Sequence, residues 1–334
     1  MYKISIIIPA FNVEKYIERS FKSILNQTMD LNDIEVIVVD DKSTDKTRSI
    51  VEKYEKKYPN FKAIYHKTNS GGAATPRNSG LEIASGKYVM FLDPDDEFAH
   101  DMCETLYSKI DNDDSVAFVK CNHEFITTDT SRKDYQLDEN ISELKINCKT
   151  GMPPKTGSVC NAIHDRCFLM DKNLRFPKVK LGEDAIFMIN EFLNADNVII
   201  LNNYHGYKYY TNAETSHSRT PIPENFDDAL EAYSIINHLA NEKNRPEIAC
   251  PLISRISAQY FLMLIEYEGN KKEYLEKYSE FEKSLNCTLT FKYSWMNIVN
   301  KLLIKNKIST ALSTMKIFNL VRKSPLVKIY RKFI

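Results

Sequence analysis

The chain has no excess of charge of either sign: 45 Lys and Arg balance 45 Asp and Glu over 334 residues. Nothing global therefore points to nucleic acid or to an acidic partner. It has no CxxC pair, and its seven cysteines are scattered at 103, 121, 148, 160, 167, 250 and 287. An odd, unpatterned set argues against a zinc knuckle or a disulfide framework, so a reducing compartment is expected. No stretch approaches the ~20 apolar residues of a membrane helix. The opening MYKISIIIPAFN has only a short apolar run before Pro9 and no small-residue cleavage site. It does not read as a signal peptide. Also missing is a GxGxxG fingerprint after the first strand, which argues against a dinucleotide-dependent dehydrogenase. Gly71-Gly72 lacks the Walker Lys-Ser/Thr ending and reads as a point of close backbone approach.

What is present is ample for a core. The chain is 43% hydrophobic, and more than one domain is ordinary at this length. Lys3 to Ile8 is a short apolar run, the pattern of a strand buried on both faces. Tyr16, Ile17, Phe21, Ile24 and Leu25 then recur at helical spacing. Glu35 to Val39 and Phe61 to Tyr65 are further strands, and Ser43 or Thr44 can cap a helix reaching Tyr58. A helix over 73–84 ends before Gly86, and Tyr88 to Leu92 is a fourth strand running into DPDDE. This alternation implies a Rossmann-like, mostly parallel α/β sheet flanked by helices, with ligands at the carboxyl ends of its strands. Asp40-Asp41, Asn69 and Asp93 fall at such ends. Val116 to Lys120 and Tyr204 to Tyr210 are strand-like, and 141–155 is a candidate loop. Beyond about residue 220 helical periodicity dominates. The expected organisation is an α/β domain over 1–220 and a smaller, mainly helical C-terminal domain over 221–334.

The Asp93-Pro94-Asp95-Asp96 turn is the sharpest chemical feature. Pro94 disfavours helical geometry at Asp93, and carboxylates this close repel unless a cation neutralises them. Oxygen-only ligands suit Mg²⁺ or Mn²⁺. The bland alternative is an acidic turn or cap after a strand. Three segments settle the preference: ISIIIPAFNVEKYIERSFKSILNQT, IEVIVVDDKSTD and NSGGAATPRNSGLEIASGKYVMFLDPDD. In order, spacing and residue types, residues 1–100 resemble the family 2 glycosyltransferases of the GT-A fold. LGEDAIF at 181–187 resembles that family's downstream acidic motif. NSGGAATPRNSG is similar to the enzymes that glycosylate wall teichoic acid in Gram-positive bacteria.

The resemblance implies roles. Pro9 and Phe11 contact uracil, and Asp41 accepts from its N3–H. Asn69 and Arg77 hold the nucleotide or its phosphates. Asp93 contacts ribose or metal, and Asp95 binds metal. Asp184 is the general base, with Glu183 beside it. It also implies that 1–220 is a nucleotide-sugar-binding catalytic domain with 141–155 as its acceptor-side loop, a UDP-sugar donor, N-acetylglucosamine leading, and a polyanionic glycopolymer acceptor such as wall teichoic acid. Capsular or exopolysaccharide synthesis with another sugar, or an inactive nucleotide-binding subunit, are the rival readings. Glu183-Asp184 can equally favour a helix N-terminus through its dipole. Phe11 alone reads as core. His217 is a metal or phosphate ligand, or part of an exposed loop, and Arg219 is a candidate phosphate contact. His164 is acceptor-facing or structural, and Cys160 and Cys167 read as buried apolar residues. The last residues, 301–334, hold nine Lys/Arg and no acid. They suit an anionic inner-leaflet surface, a polyanionic acceptor or a solvated helix face, with Leu312, Met315 and Phe318 packing within the domain or between subunits of a homo-oligomer. The expected location is cytoplasmic, possible as a peripheral protein on the inner face of the cell membrane.

Overall fold

The structure, a computed structural model, describes residues 2–127, 130–138, 140–211, 221–285, 287–291 and 293–323, with backbone alone for 321–323. His217, Arg219 and the basic segment 324–334 lie outside the described residues. The chain divides into two compact units, Met1–Thr215 and Ser216–Ile334.

The first unit opens with β1 (Ile4–Ala10), α1 (Ile17–Leu25), β2 (Ile34–Asp40), α2 (Thr47–Lys57), β3 (Phe61–Tyr65), α3 (Ala74–Ile83) and β4 (Tyr88–Phe91). It continues through β5 (Glu97–Phe98), α4 (Met102–Ile110), β6 (Val116–Lys120), β7 (His123–Ile126), β8 (Ser131–Lys133) and β9 (Glu143–Asn147). β10 (Ala162–Asp165), α5 (Arg166–Asp171), α6 (Glu183–Asn194), β11 (Asn197–Leu201) and β12 (Tyr207–Tyr210) complete it. Eight strands form one sheet in the order β3-β2-β1-β4-β10-β6-β11-β9, and β5-β12-β7-β8 form a second. In the large sheet β10 and β9 run antiparallel to their neighbours, and the other strands share one direction.

Every residue of β1, β2 and β4 is buried, which their unbroken apolar runs demand. The chain lays β2 and β3 on one side of β1 and β4 on the other, so the strand order switches between β1 and β4. Ligand crevices of open α/β sheets form outside the carboxyl ends at such a switch. The helix α3 presses on β1 there: a Cβ on Gly80 would lie 2.4 Å from Ile7. Only glycine admits that approach.

Three sequence expectations need correction in this unit. Ser43 and Thr44 do not cap α2; they bond to Asn12 across the loops after β1 and β2, and Asp45 instead accepts from the Thr47 amide at 2.9 Å. The 141–155 stretch is not only loop, because β9 forms an edge of the large sheet with β11. Cys167 is exposed, whereas Cys160 is buried.

The second unit is helical: α7 (Pro223–Glu242), α8 (Pro246–Glu266), α9 (Lys271–Lys283), α10 (Ser294–Ile304) and α11 (Ile308–Lys323). α8 is long and apolar enough to cross a membrane by composition, which the sequence reading missed, but 67% of its apolar window is buried within the protein. It reads as a core helix around Tyr260 and Phe261. Cys250 and Cys287 are paired here, with Cα atoms 6.5 Å apart, a single bridge where the sequence argued against a disulfide framework. Met315 is buried, and Phe318 stacks on Trp295 with ring centroids 4.2 Å apart, so these residues pack within the unit.

Glu282 is buried in this unit and accepts from the Asn300 amide. Burial pushes its carboxyl from 4.5 up to about 7. A raised folded pKa stabilises below the unfolded value and loses that contribution as pH rises through the folded one. Unit stability should therefore fall between about pH 4.5 and above 7. Glu282→Gln should flatten that dependence and leave the pH 8 variant at least as stable as the parent. Urea melts at pH 5 and pH 8, followed through the single Trp295, measure it; an unchanged pH slope would count against the assignment.

Candidate active site

The DPDD turn is held by side chains that sequence spacing did not single out. Ser20 on α1 donates to the Pro94 and Asp96 carbonyls at 2.7 and 2.8 Å, and Arg19 donates to the Asp95 carbonyl. Arg19 also lies 3.6 Å over the Tyr210 ring. Asp96 is 1% exposed and points away from the crevice, accepting from the Tyr207 hydroxyl at 2.7 Å and the Tyr210 amide at 2.8 Å. Burial, then the neighbouring Asp95 and Asp93, push its carboxyl well above the carboxylate range. The turn thus offers two carboxylates to the crevice, Asp93 and Asp95, rather than the three counted in the sequence. Asp96 is an anchor.

Arg77, on α3, joins the turn to the downstream acids. One terminal nitrogen, Nη2, donates to Asp93 Oδ1 at 2.8 Å, and Nη1 reaches Asp184 Oδ1 at 2.6 Å and Glu183 Oε1 at 3.2 Å. The guanidinium is 3% exposed and lies 5.3 Å over the Phe176 ring. Burial opposes its charge, yet Asp184 and Asp93 outweigh burial and raise its pKa well above the ordinary value. The carboxylates of Asp93 and Asp184 are therefore separated by the width of one guanidinium. Both terminal nitrogens are thus engaged by carboxylates, while Nε has no partner among the described residues.

Glu183 and Asp184 open α6 behind Gly182, whose φ of 83° places it in the left-handed region. Asp184 Oδ2 accepts from the Val159 amide at 3.4 Å. Burial raises both carboxyls above their ordinary range, and Arg77 opposes this. Asn78, next to Arg77, exchanges two 2.9 Å hydrogen bonds with the Phe176 backbone. The PRN triplet thus grips both the acids and the segment leading to them. A side chain that pairs with a backbone a hundred residues away leaves no local signature, so Asn78 was missed.

At the carboxyl ends of β1 and β2, Pro9 is buried next to the last residue of β1 and Phe11 is 43% exposed, so Phe11 is not core. Asp41 Oδ1 accepts from His66 Nδ1 at 2.7 Å, and Oδ2 accepts from the Ser70 amide and hydroxyl at 2.8 Å each. Asn69 donates to the Asp41 carbonyl at 3.0 Å. His66 and Ser70 are partners of Asp41 that sequence reasoning did not name. His164 is fully buried against Glu191 at 2.8 Å, which makes it structural rather than acceptor-facing.

Asp93 and Asp95 suit a hard divalent cation. Asp95 forms no ion pair among the described residues, and burial with the neighbouring Asp93 pushes its carboxyl up to about 6. A cation between them would relieve that repulsion. No cluster of three or more His, Cys, Asp or Glu among the described residues is arranged to hold a metal. Such a cation would complete its shell with phosphate or water oxygens.

An open α/β sheet with paired carboxylates at its switch point marks a ligand crevice there. The model of glycosyl transferase family 2 matches residues 5–175, and the chain belongs to that family. It is 32% identical to the poly(ribitol-phosphate) beta-glucosyltransferase of Bacillus spizizenii over 69% of this chain and 36% of that protein. It is 27% identical to the poly(ribitol-phosphate) beta-N-acetylglucosaminyltransferase TarP of Staphylococcus aureus over 98% of both. The crystal structure of S. aureus TarS 1-349 with UDP-GlcNAc superposes with a TM-score of 0.76 at 22% identity, covering 95% of this chain and 92% of that one, a likeness of fold. The chain spans less than half the length of some curated relatives, 36% of the B. spizizenii protein and 44% of full-length TarS.

Removing the shared cation tests the centre. Arg77→Ala strands Asp93, Glu183 and Asp184 and should destabilise the first unit by about 3–5 kcal/mol. Arg77→Lys restores a charge without the fork and should recover only part. Urea denaturation followed by circular dichroism reads both; an Arg77→Ala midpoint equal to the parent's would show that the three pairs contribute nothing.

Proposed function

We propose that the chain is a metal-dependent, inverting glycosyltransferase that moves a sugar, N-acetylglucosamine first among candidates, from UDP to a polyol-phosphate polymer of the wall teichoic acid class. The observation that carries this is the Arg77 junction, in which one guanidinium joins Asp93 of the DPDD turn to Glu183 and Asp184 at the start of α6. The printed activities of the poly(ribitol-phosphate) transferases support the acceptor and donor classes. The reaction is proposed for the cytoplasm, with the basic C-terminal segment as the candidate contact to polymer, membrane or a second copy.

In this scheme Phe11 and Pro9 flank the uracil and Asp41 accepts from its N3–H. Asn69 shapes the loop beside the nucleotide. Asp93 and Asp95 hold Mn²⁺ or Mg²⁺, which when bound screens the charge gathering on the departing diphosphate. His217 and Arg219 remain candidates for the same diphosphate. The acceptor hydroxyl attacks the anomeric carbon from the face opposite UDP. As its oxygen bonds to carbon, its proton passes to Asp184, and the bond to the diphosphate breaks. Burial suits Asp184 to this work because a raised pKa makes a carboxylate a better base. Glu183 shares Nη1 of Arg77 with Asp184. One displacement needs no Ser or Cys nucleophile.

Purified protein should release UDP from one member of a UDP-sugar panel with Mn²⁺, faster with purified teichoic acid present. Asp95→Asn should lose metal-dependent turnover. Asp184→Asn should keep UDP binding and lose transfer by about 10²–10⁴-fold. No UDP binding and no turnover with any donor would defeat the enzyme reading, leaving an inactive subunit. Transfer only to a non-phosphate glycan would favour capsular or exopolysaccharide synthesis.

A further inference from the structure

Lys120 ends β6 in the middle of the large sheet and is wholly buried. A charged lysine there is costly, and an apolar side chain of similar volume would serve the core better. Burial lowers its pKa to about 8 from 10.5. Its position explains what it holds. Lys120 Nζ donates to the carbonyl of Ser158, in the segment before β10. The next residue, Val159, turns its amide to Asp184 Oδ2 at 3.4 Å. The Val159 carbonyl lies 3.3 Å from His164 Nε2, whose Nδ1 is held by Glu191 Oε2 at 2.8 Å. The backbone at 158–159 is therefore pinned at both carbonyls by buried side chains, and its free amide is presented to one carboxylate.

We infer that Lys120 is a positioning residue for Asp184: by fixing the Ser158 carbonyl it sets the Val159 amide against Oδ2 and thereby the orientation in which Oδ1 faces the crevice. The positive charge adds to this, since Asp184 and Glu191 are among the acids that act on Lys120. Asp184 thus sits between two cations. Arg77 touches Oδ1 from the crevice side, and Lys120 acts from within the sheet through one peptide unit. When substrates draw on Arg77, the Lys120 contact does not depend on the crevice and stays in place. His164 holds the adjoining peptide at the Val159 carbonyl.

The inference rests on the reading of Asp184 as the base, and the experiment separates the two. Lys120→Met keeps the length of the stem and removes the donor and the charge. In the full chain it should lower kcat for transfer by about 10–100-fold, as loss of an orienting partner does, with donor KM and UDP affinity unchanged within about twofold. Lys120→Gln, which keeps an N–H donor without charge, should recover part of the loss. Because the effect runs through Asp184, Lys120→Met should cost nothing further in an Asp184→Asn background. A folded Lys120→Met with parental kcat would overturn the inference, as would a loss that simply adds to that of Asp184→Asn or that falls on donor KM. Full transfer by Asp184→Asn alone would instead defeat the reading of the base. If Lys120→Met does not fold, His164→Gln carries the test: it releases the Val159 carbonyl and should show the same kcat-only, non-additive loss, and parental kcat there would overturn the inference.

Discussion

One buried guanidinium sets the terms for the rest of the first unit. Arg77 is the counterion of Asp93, Glu183 and Asp184 at once. A cation so buried is tolerable only because the carboxylates surround it, and they in turn are tolerable only because of it. Three carboxyls converge on that one cation, and burial raises those of Glu183 and Asp184 against its pull. Asp93 also belongs to the DPDD turn, where its neighbour Asp95 forms no ion pair among the described residues. If Asp93 and Asp95 hold a divalent cation, as proposed, that cation relieves the repulsion between them.

Holding such a centre requires that four chain segments meet with little freedom. α3 can bring Arg77 down to the strand ends because Gly80 lets the helix rest against Ile7. Asn78 ties the approach to α6 by its backbone, and Gly182 supplies the left-handed turn that starts the helix on its acids. The second sheet contributes through Tyr207 and Tyr210, which fix Asp96 and so fix the turn in which Asp93 and Asp95 sit. The third acid of DPDD is therefore not redundant chemistry. It is the hook by which the small sheet holds the turn.

How far this was legible follows from the range of each interaction. The strands β1 to β4 and the helices between them were readable because unbroken apolar runs and helical spacing are local signals. The acids at the strand ends were readable because topology sends ligands there. The Arg77 pairs were not, since its partners lie 16, 106 and 107 residues away. The Ser43-Thr44 cap failed for the same reason: both hydroxyls had a competing long-range partner in Asn12. β9 was taken for loop because an edge strand with one buried residue in five carries almost no alternation. Lys120 was invisible, because a lysine at the end of an apolar strand reads as its solvated boundary.

The nucleotide side obeys the same economy of partners. A carboxylate offers about four lone-pair sites, and His66 with the Ser70 amide and hydroxyl already engage three at Asp41. If Asp41 reads the uracil, as proposed, the base finds a carboxylate with one position left and with its plane fixed in advance. No rotation is then required at the moment of binding, and little conformational entropy remains to be lost. A pyrimidine with an N–H at that point completes the set. One with a lone pair there, as cytosine has, would face the remaining oxygen with no donor and leave both unsatisfied. Discrimination among nucleotides would then come less from Asp41 itself than from His66 and Ser70, which decide how many ways it has left to bond.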